Sequence, residues 1–228
     1  MNISSCIGIL GGTFDPVHFA HLRLAEEVSE IFTLVRVHLI PSGEPPHRAT
    51  PGASAQDRLC MVRLALEGAG DNLVADGREL DRIGKSYMVD TLRAFREENR
   101  NASISLILGT DAFVELMAWH EWRQLFTLAH IIVASRPNLP ISQLTKMLKG
   151  QLLSEFEARH SGNYNALTSS THGLIFTYEF TSLEVSGTAL RQRIYSGLSL
   201  KYLLPDNVIN YIQDQSLYKE SCSESNTE

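Results

Sequence analysis

The sequence predicts a doubly wound α/β protein: a parallel sheet with helices on both faces and a helical segment at the C-terminal end. Three observations predict it. Short apolar runs rich in Ile, Leu and Val alternate with longer segments of helical periodicity. The first such unit reads strand–helix–strand, the signature of a parallel pair joined by a right-handed crossover. Two of the runs stop at glycine followed by small polar residues, Gly11-Gly12-Thr13 and Gly109-Thr110-Asp111. Doubly wound sheets bind their ligands at such carboxyl ends of strands.

The elements follow in order. Cys6 to Leu10 is short, partly β-branched and stopped by glycine, so it reads as a buried strand. Phe19 to Phe32 is helical, with Leu22, Ala25, Val28 and Phe32 near one face. Leu34 to Ile40 is the second strand, and Pro41 to Pro51 a Pro/Gly-rich loop. Ser54 opens a helix with Asp57 three residues on, a capping-box pair with Asp for Glu; the helix ends near Gly68 and Gly70. Leu73 to Ala75 is a short strand, and Ser86 caps a helix reaching about Asn99. Ile104 to Leu108 and His130 to Ala134 are strands, separated by two short helical pieces around Trp119 to Trp122. One helix spans about Ile141 to Arg159, Ile175 to Tyr178 is the last strand, and helices begin near Gly187 and after Pro205. Residues 1–218 are expected to form one domain, helical from about 187, and the polar end 219–228 is expected to be disordered.

Composition narrows the function classes. Of 228 residues, 43% are hydrophobic and 20% charged, enough for a packed core. A net charge of −6 argues against a protein that coats nucleic acid by bulk charge. The N-terminal apolar run has no basic flank and is broken by Gly8, Gly11 and Gly12, which fits neither a signal peptide nor a membrane span. Cys6, Cys60 and Cys222 form no CxxC pair or disulfide framework, so a cytoplasmic, reducing compartment is expected.

The segment Gly11-Gly12-Thr13-Phe14-Asp15-Pro16-Val17-His18-Phe19-Ala20-His21-Leu22 carries the strongest chemistry. Glycines allow backbone N–H groups to approach a phosphate, and a helix N-terminus favours anions. His18 and His21, three apart at that helix start, add two imidazole donors on one face. The glycines form neither a GxGxxG fingerprint nor a P-loop. A zinc site lacks its remaining ligands in the neighbouring sequence. Further along, Ser186, Thr188 and Arg191 stand at and inside another helix start, where hydroxyls and a guanidinium suit a phosphate. The same pattern also occurs as a plain N-cap. Asp111, at a strand's carboxyl end, suits ribose hydroxyls or a helix cap, and Trp119 and Trp122 suit core packing, with Trp119 also offering a stacking face for a planar ring.

The first segment resembles the (H/T)xGH signature of the nucleotidyltransferase superfamily in its GG(S/T)FDPxHxGH form, with Ala20 at a usual glycine. Further stretches resemble the bacterial nicotinate mononucleotide adenylyltransferases. They are Pro45-Pro46-His47-Arg48, Arg78-Glu79-Leu80 with Ser86-Tyr87 and Thr91-Leu92, Gly109-Thr110-Asp111, Trp119 with Trp122, Arg136-Pro137, and Val185 to Arg191. Met88 and His120 replace the family's frequent threonine and tyrosine, and Gly187 stands where Ser or Ala is common. The glycine is expected to change little. The resemblance covers roughly Ile7 to Tyr218 and implies a Rossmann-like sheet.

It also implies a site. Gly11, Gly12, Thr13, Phe14, His18, His21, Ser186, Thr188 and Arg191 would bind ATP, with His18, His21 and Arg191 catalytic. Arg48, Ser86, Tyr87, Asp111, Trp119, His120 and Arg136 would bind nicotinate mononucleotide. Mg²⁺ would accompany ATP, held mainly by phosphate oxygens, with no protein metal site. Nucleic acid and membrane are not expected partners, and a homo-oligomer is left open. Other readings remain: another acceptor (nicotinamide mononucleotide, phosphopantetheine or a phosphorylated alcohol), a nucleotide sensor without activity, or a dinucleotide-dependent redox enzyme.

Overall fold

The computed structural model describes residues 5–45, 50–136, 139–181 and 183–219. Six strands form one parallel sheet: β1 (Cys6–Gly12), β2 (Arg36–Pro41), β3 (Leu73–Ala75), β4 (Ser103–Gly109), β5 (His130–Ala134) and β6 (Ile175–Tyr178). Their spatial order is β3-β2-β1-β4-β5-β6. The order reverses between β1 and β4, which pair directly from Cys6 opposite Ser103 to Ile9 opposite Leu106. A crevice is expected beyond the carboxyl ends of these two strands.

Side chains alternate between two cores, as a sheet covered on both faces requires. Leu10, Ile107, Ile132 and Ala134 join one core, which also takes Leu24 and Val28 of α1 (Phe19–Ile31), Met61 and Val62 of α2 (Ala55–Ala65), and C-terminal residues. Ile9, Ile104, Leu106, Ile131 and Val133 face the other, with Val89, Leu92 and Phe95 of α3 (Met88–Glu98). After β4 come α4 (Thr110–Val114), two 3-10 turns and α5 (Leu125–Leu128). Then follow α6 (Ile141–Met147), α7 (Gly150–Arg159), and, after β6, α8 (Gly187–Tyr195) and α9 (Asp206–Asp214). Leu190 of α8 and Val208 and Ile212 of α9 are buried in the first core. The C-terminal helices thus complete the face that carries α1.

Four local expectations are corrected. β2 starts at Arg36, because Thr33 turns the chain at φ 51° and Val35 is exposed. The helix expected over 141–159 is two helices: Leu148 and Lys149 are extended, and Gly150 takes φ 54°. Ser86 does not cap α3; Tyr87 holds that position. The Ser86 hydroxyl instead accepts the N–H groups of Gly43 at 2.9 Å and Glu44 at 3.2 Å, tying two loops together. The cap of α4 is Gly109, not Asp111, which lies in the first turn. By contrast, Ser54 caps α2 as its sequence says, accepting the Asp57 N–H at 3.1 Å.

Candidate active site

The first motif leaves β1 at Gly12 and enters α1 at Phe19. Phe14 turns the chain with φ 51°, a left-handed conformation that a bulky aromatic holds at a cost of roughly 1–3 kcal/mol. Its ring is buried and meets the His21 ring edge-on at 4.9 Å. The turn presents His18 and His21 stacked, ring centroids 3.7 Å apart.

Their protonation follows from their partners. The His18 backbone N–H donates to His21 Nδ1 at 3.3 Å, so His21 carries its ring proton on Nε2 when neutral. His18 is 2% exposed, and its Nδ1 is buried with no hydrogen-bond partner among the described residues. Burial, and secondarily the charge of Arg136, lower the His18 pKa to about 4. His18 is therefore neutral at pH 7. An anion beside it would reverse the second cause by neutralising Arg136, and would favour the imidazolium directly.

The amides at the start of α1 contribute less than expected. Phe19 N–H donates to the Leu203 carbonyl at 3.2 Å, and His21 N–H to the His18 carbonyl at 2.9 Å. Two of the amides of this first turn are therefore turned inward, and the imidazoles add donors at this helix end.

The second motif, far along the chain, lies against the first. Ser186 caps α8, accepting the Ala189 N–H at 3.2 Å. Arg191 reaches back: its Nη1 donates to the Asp15 carbonyl at 2.7 Å, and its Nη2 to Thr188 Oγ1 at 3.3 Å. A Cβ on Gly187 would stand 2.9 Å from the Asp15 carbonyl oxygen, so glycine here lets α8 approach the motif loop. The expectation that Gly187 changes little is therefore corrected.

Sequence reasoning missed the groups that hold this half together. Asp15 is buried, and its carboxylate accepts N–H groups of Gly52 at 2.8 Å and Ala53 at 3.1 Å, and the Tyr218 hydroxyl at 2.7 Å. Arg58 is 1% exposed and donates to the carbonyls of Thr13 at 2.7 Å, Gly43 at 3.1 Å and Ala53 at 3.3 Å. Arg58 had a legible signal: it falls on the apolar stripe of α2, four residues before Val62. Tyr218 had none.

Beyond β4 and α3 lies the other group of expected residues. Asp111 accepts Arg136 Nε at 3.3 Å across the carboxyl ends of β4 and β5. The Tyr87 and His120 rings face each other at 4.4 Å, and His120 Nε2 is 3.2 Å from Glu121 Oε1. Glu121 in turn pairs with Arg93. Trp119 and Trp122 are half-buried against the second core. Met88 lies over the end of β1: a Cβ on Gly11 would collide with its terminal methyl. Glu79 is 3% exposed and accepts the Thr91 hydroxyl at 2.6 Å; burial raises its pKa. Arg78 lies 3.6 Å over Phe95 and pairs with Asp76 and Glu98, a packing role. Arg48 and His47 lie outside the described residues. Among the described residues, no group of three or more His, Cys, Asp or Glu could hold a metal ion. Likewise, no helix is long and apolar enough to cross a membrane.

Fold and site together define an α/β protein of the nucleotidyltransferase class. The chain belongs to the cytidylyltransferase-like family, whose model matches residues 9–193. It is 45% identical to a curated protein of Methylococcus capsulatus over 93% of this chain and 99% of that one. It is 44% identical to one of Dechloromonas aromatica over 96% of this chain and all of that one. Both carry the name "Probable nicotinate-nucleotide adenylyltransferase". Among solved structures, it is similar to the Plasmodium falciparum nicotinic acid mononucleotide adenylyltransferase complexed with NaAD. The TM-score is 0.71 and the identity 15%, covering 96% of this chain and all of that one, which speaks to the fold.

Proposed function

We propose that this protein transfers the adenylyl group of ATP to nicotinate mononucleotide, giving nicotinate adenine dinucleotide and pyrophosphate. The observation that carries the reading is the stacked His18–His21 pair at the start of α1, with Arg191 of α8 seated on the same loop. The names of the relatives supply the acceptor.

The chemistry is an in-line displacement. A 5′-phosphate oxygen of the mononucleotide attacks the α-phosphorus of ATP, a new P–O bond forms, and the bond to the β-phosphate bridging oxygen breaks. The attacking oxygen is already anionic near pH 7, so no protein base is required. Catalysis then comes from positioning and from stabilising charge on the transferring and leaving phosphates. His21, with its Nε2 proton directed away from the His18 amide, donates to phosphate. His18 gains its proton as the polyphosphate arrives. Arg191 spans the loop and Thr188, and takes further charge. ATP would enter as its Mg²⁺ complex, the metal held by phosphate oxygens and water.

On the acceptor side, Asp111 suits the ribose, and Tyr87, Trp119 and His120 frame the pyridine ring. Ser86 holds the neighbouring Gly43–Glu44 turn, and Arg136 faces phosphate. The test is pyrophosphate release from MgATP with the nicotinate or the nicotinamide mononucleotide. Preference for the acid is expected. Equal or reversed preference would move the acceptor, and no release with either would end the reading.

A further inference from the structure

Asp15 poses an electrostatic problem. It places a buried carboxylate beside Arg191, a residue assigned to anionic phosphate. Left alone, such a carboxylate would take the guanidinium for itself and repel the ligand. In the structure the guanidinium and the carboxylate do pair, but the contact is long. Arg191 Nη1 lies 2.7 Å from the Asp15 backbone carbonyl but 3.4 Å from carboxylate Oδ2. The carboxylate is occupied by other donors: Gly52 and Ala53 N–H, and the Tyr218 hydroxyl at 2.7 Å.

Tyr218 comes from the far end of the chain, beyond α9, and is 8% exposed. Its ring lies against Gly52, where a Cβ would stand 3.0 Å from two ring carbons. Burial, and then Asp15, hold its hydroxyl well above the usual phenol range, so it stays a donor.

We propose that Tyr218 is a positioning residue for the triphosphate side of the site: it occupies the Asp15 carboxylate and so keeps Arg191 available to phosphate. The proposal rests on the function given above. It assigns a role in ATP binding to a residue outside both motifs.

The test compares the full-length protein with Tyr218→Phe, which removes the hydroxyl and keeps the ring. MgATP affinity is measured by calorimetry without acceptor, and KM is measured for both substrates. A MgATP Kd about three- to tenfold weaker is expected, the scale of one hydrogen bond. KM for MgATP should follow it, with the acceptor KM unchanged. An unchanged Kd, or equal rises in both KM values, would overturn the proposal. Should Tyr218→Phe fail to fold, Asp15→Asn tests the same point from the other side: with no carboxylate to draw Arg191 away, the MgATP Kd should stay unchanged or tighten, and a weakening of about threefold or more would overturn the proposal. If the unaltered protein binds MgATP but releases no pyrophosphate, the function fails, while the Kd comparison still decides Tyr218.

Discussion

The two sides of the crevice are built differently. The motif side is buried and cross-linked: Asp15 and Arg58 join the loop after β1 to the turn at Gly43, the entry to α2, α8 and the C-terminal Tyr218. The acceptor side carries exposed pairs, Asp111 with Arg136 and His120 with Glu121, beside the buried Ser86 and Glu79. Solvent-exposed pairs contribute only about 0–1 kcal/mol. The comparison teaches a division of labour. Charge stabilisation of a transferring phosphate demands donors fixed in advance, whereas a ring-and-ribose pocket tolerates side chains that rearrange.

The sharpest way to break this contrast is Arg58→Ala. It would leave three backbone carbonyls without their donor and remove one of the two cations near Asp15, Arg191 remaining at 3.4 Å. A loss of about 3–5 kcal/mol in unfolding free energy is expected by denaturant titration. A loss below about 1 kcal/mol would make the motif side no more rigid than the other. The matching Asp111→Ala should cost less than about 1 kcal/mol.

Next in size is His18→Ala, for which turnover should fall at least about a hundredfold, the scale of one transition-state charge contact. Near-normal turnover would remove His18 from the mechanism.

Acid should act on buried imidazoles. His18 and His130 are both lowered from 6.5 to about 4, chiefly by burial. Between these values the unfolded chain binds protons that the folded one does not, so stability is full above pH 6.5 and declines as the pH falls toward 4. Melting temperature measured from pH 7 to 4.5 should drop accordingly, and His130→Gln should flatten the slope. In addition, MgATP binding near pH 6 should take up protons, read by calorimetry in buffers of differing ionisation enthalpy. No uptake would mean that His18 stays neutral against phosphate.

The smallest effect concerns Met88, whose methyl fills the space above Gly11 between the two sides. Met88→Thr should change the KM of the mononucleotide by about tenfold or less, with that for MgATP nearly constant. A change confined to MgATP would place Met88 on the motif side.

Several features were legible because their cause is local. β3 at Leu73–Ala75 and β5 at His130–Ala134 match their expected bounds, since short apolar runs stopped by polar or breaking residues admit little else. The Ser54 cap was legible for the same reason. The break at Leu148–Lys149 was not, because the apolar period runs on through it and Gly150 alone marks the change. Ser86 was misread as a cap: its hydroxyl finds its partners more than forty residues away in sequence, at Gly43 and Glu44.

The sequence by itself determined the order of strands and helices, the glycine-terminated strand ends and the paired histidines. Each follows from neighbours within a few residues, through periodicity, backbone freedom and capping. Only the tertiary structure decided what surrounds them. It set the reversal of strand order between β1 and β4, the burial that makes His18 neutral, and the approach of Gly187 to Asp15. It also placed Arg58 and Tyr218 against the motif loop. Burial and electrostatic coupling depend on distances between segments remote in the chain, and no local pattern encodes those.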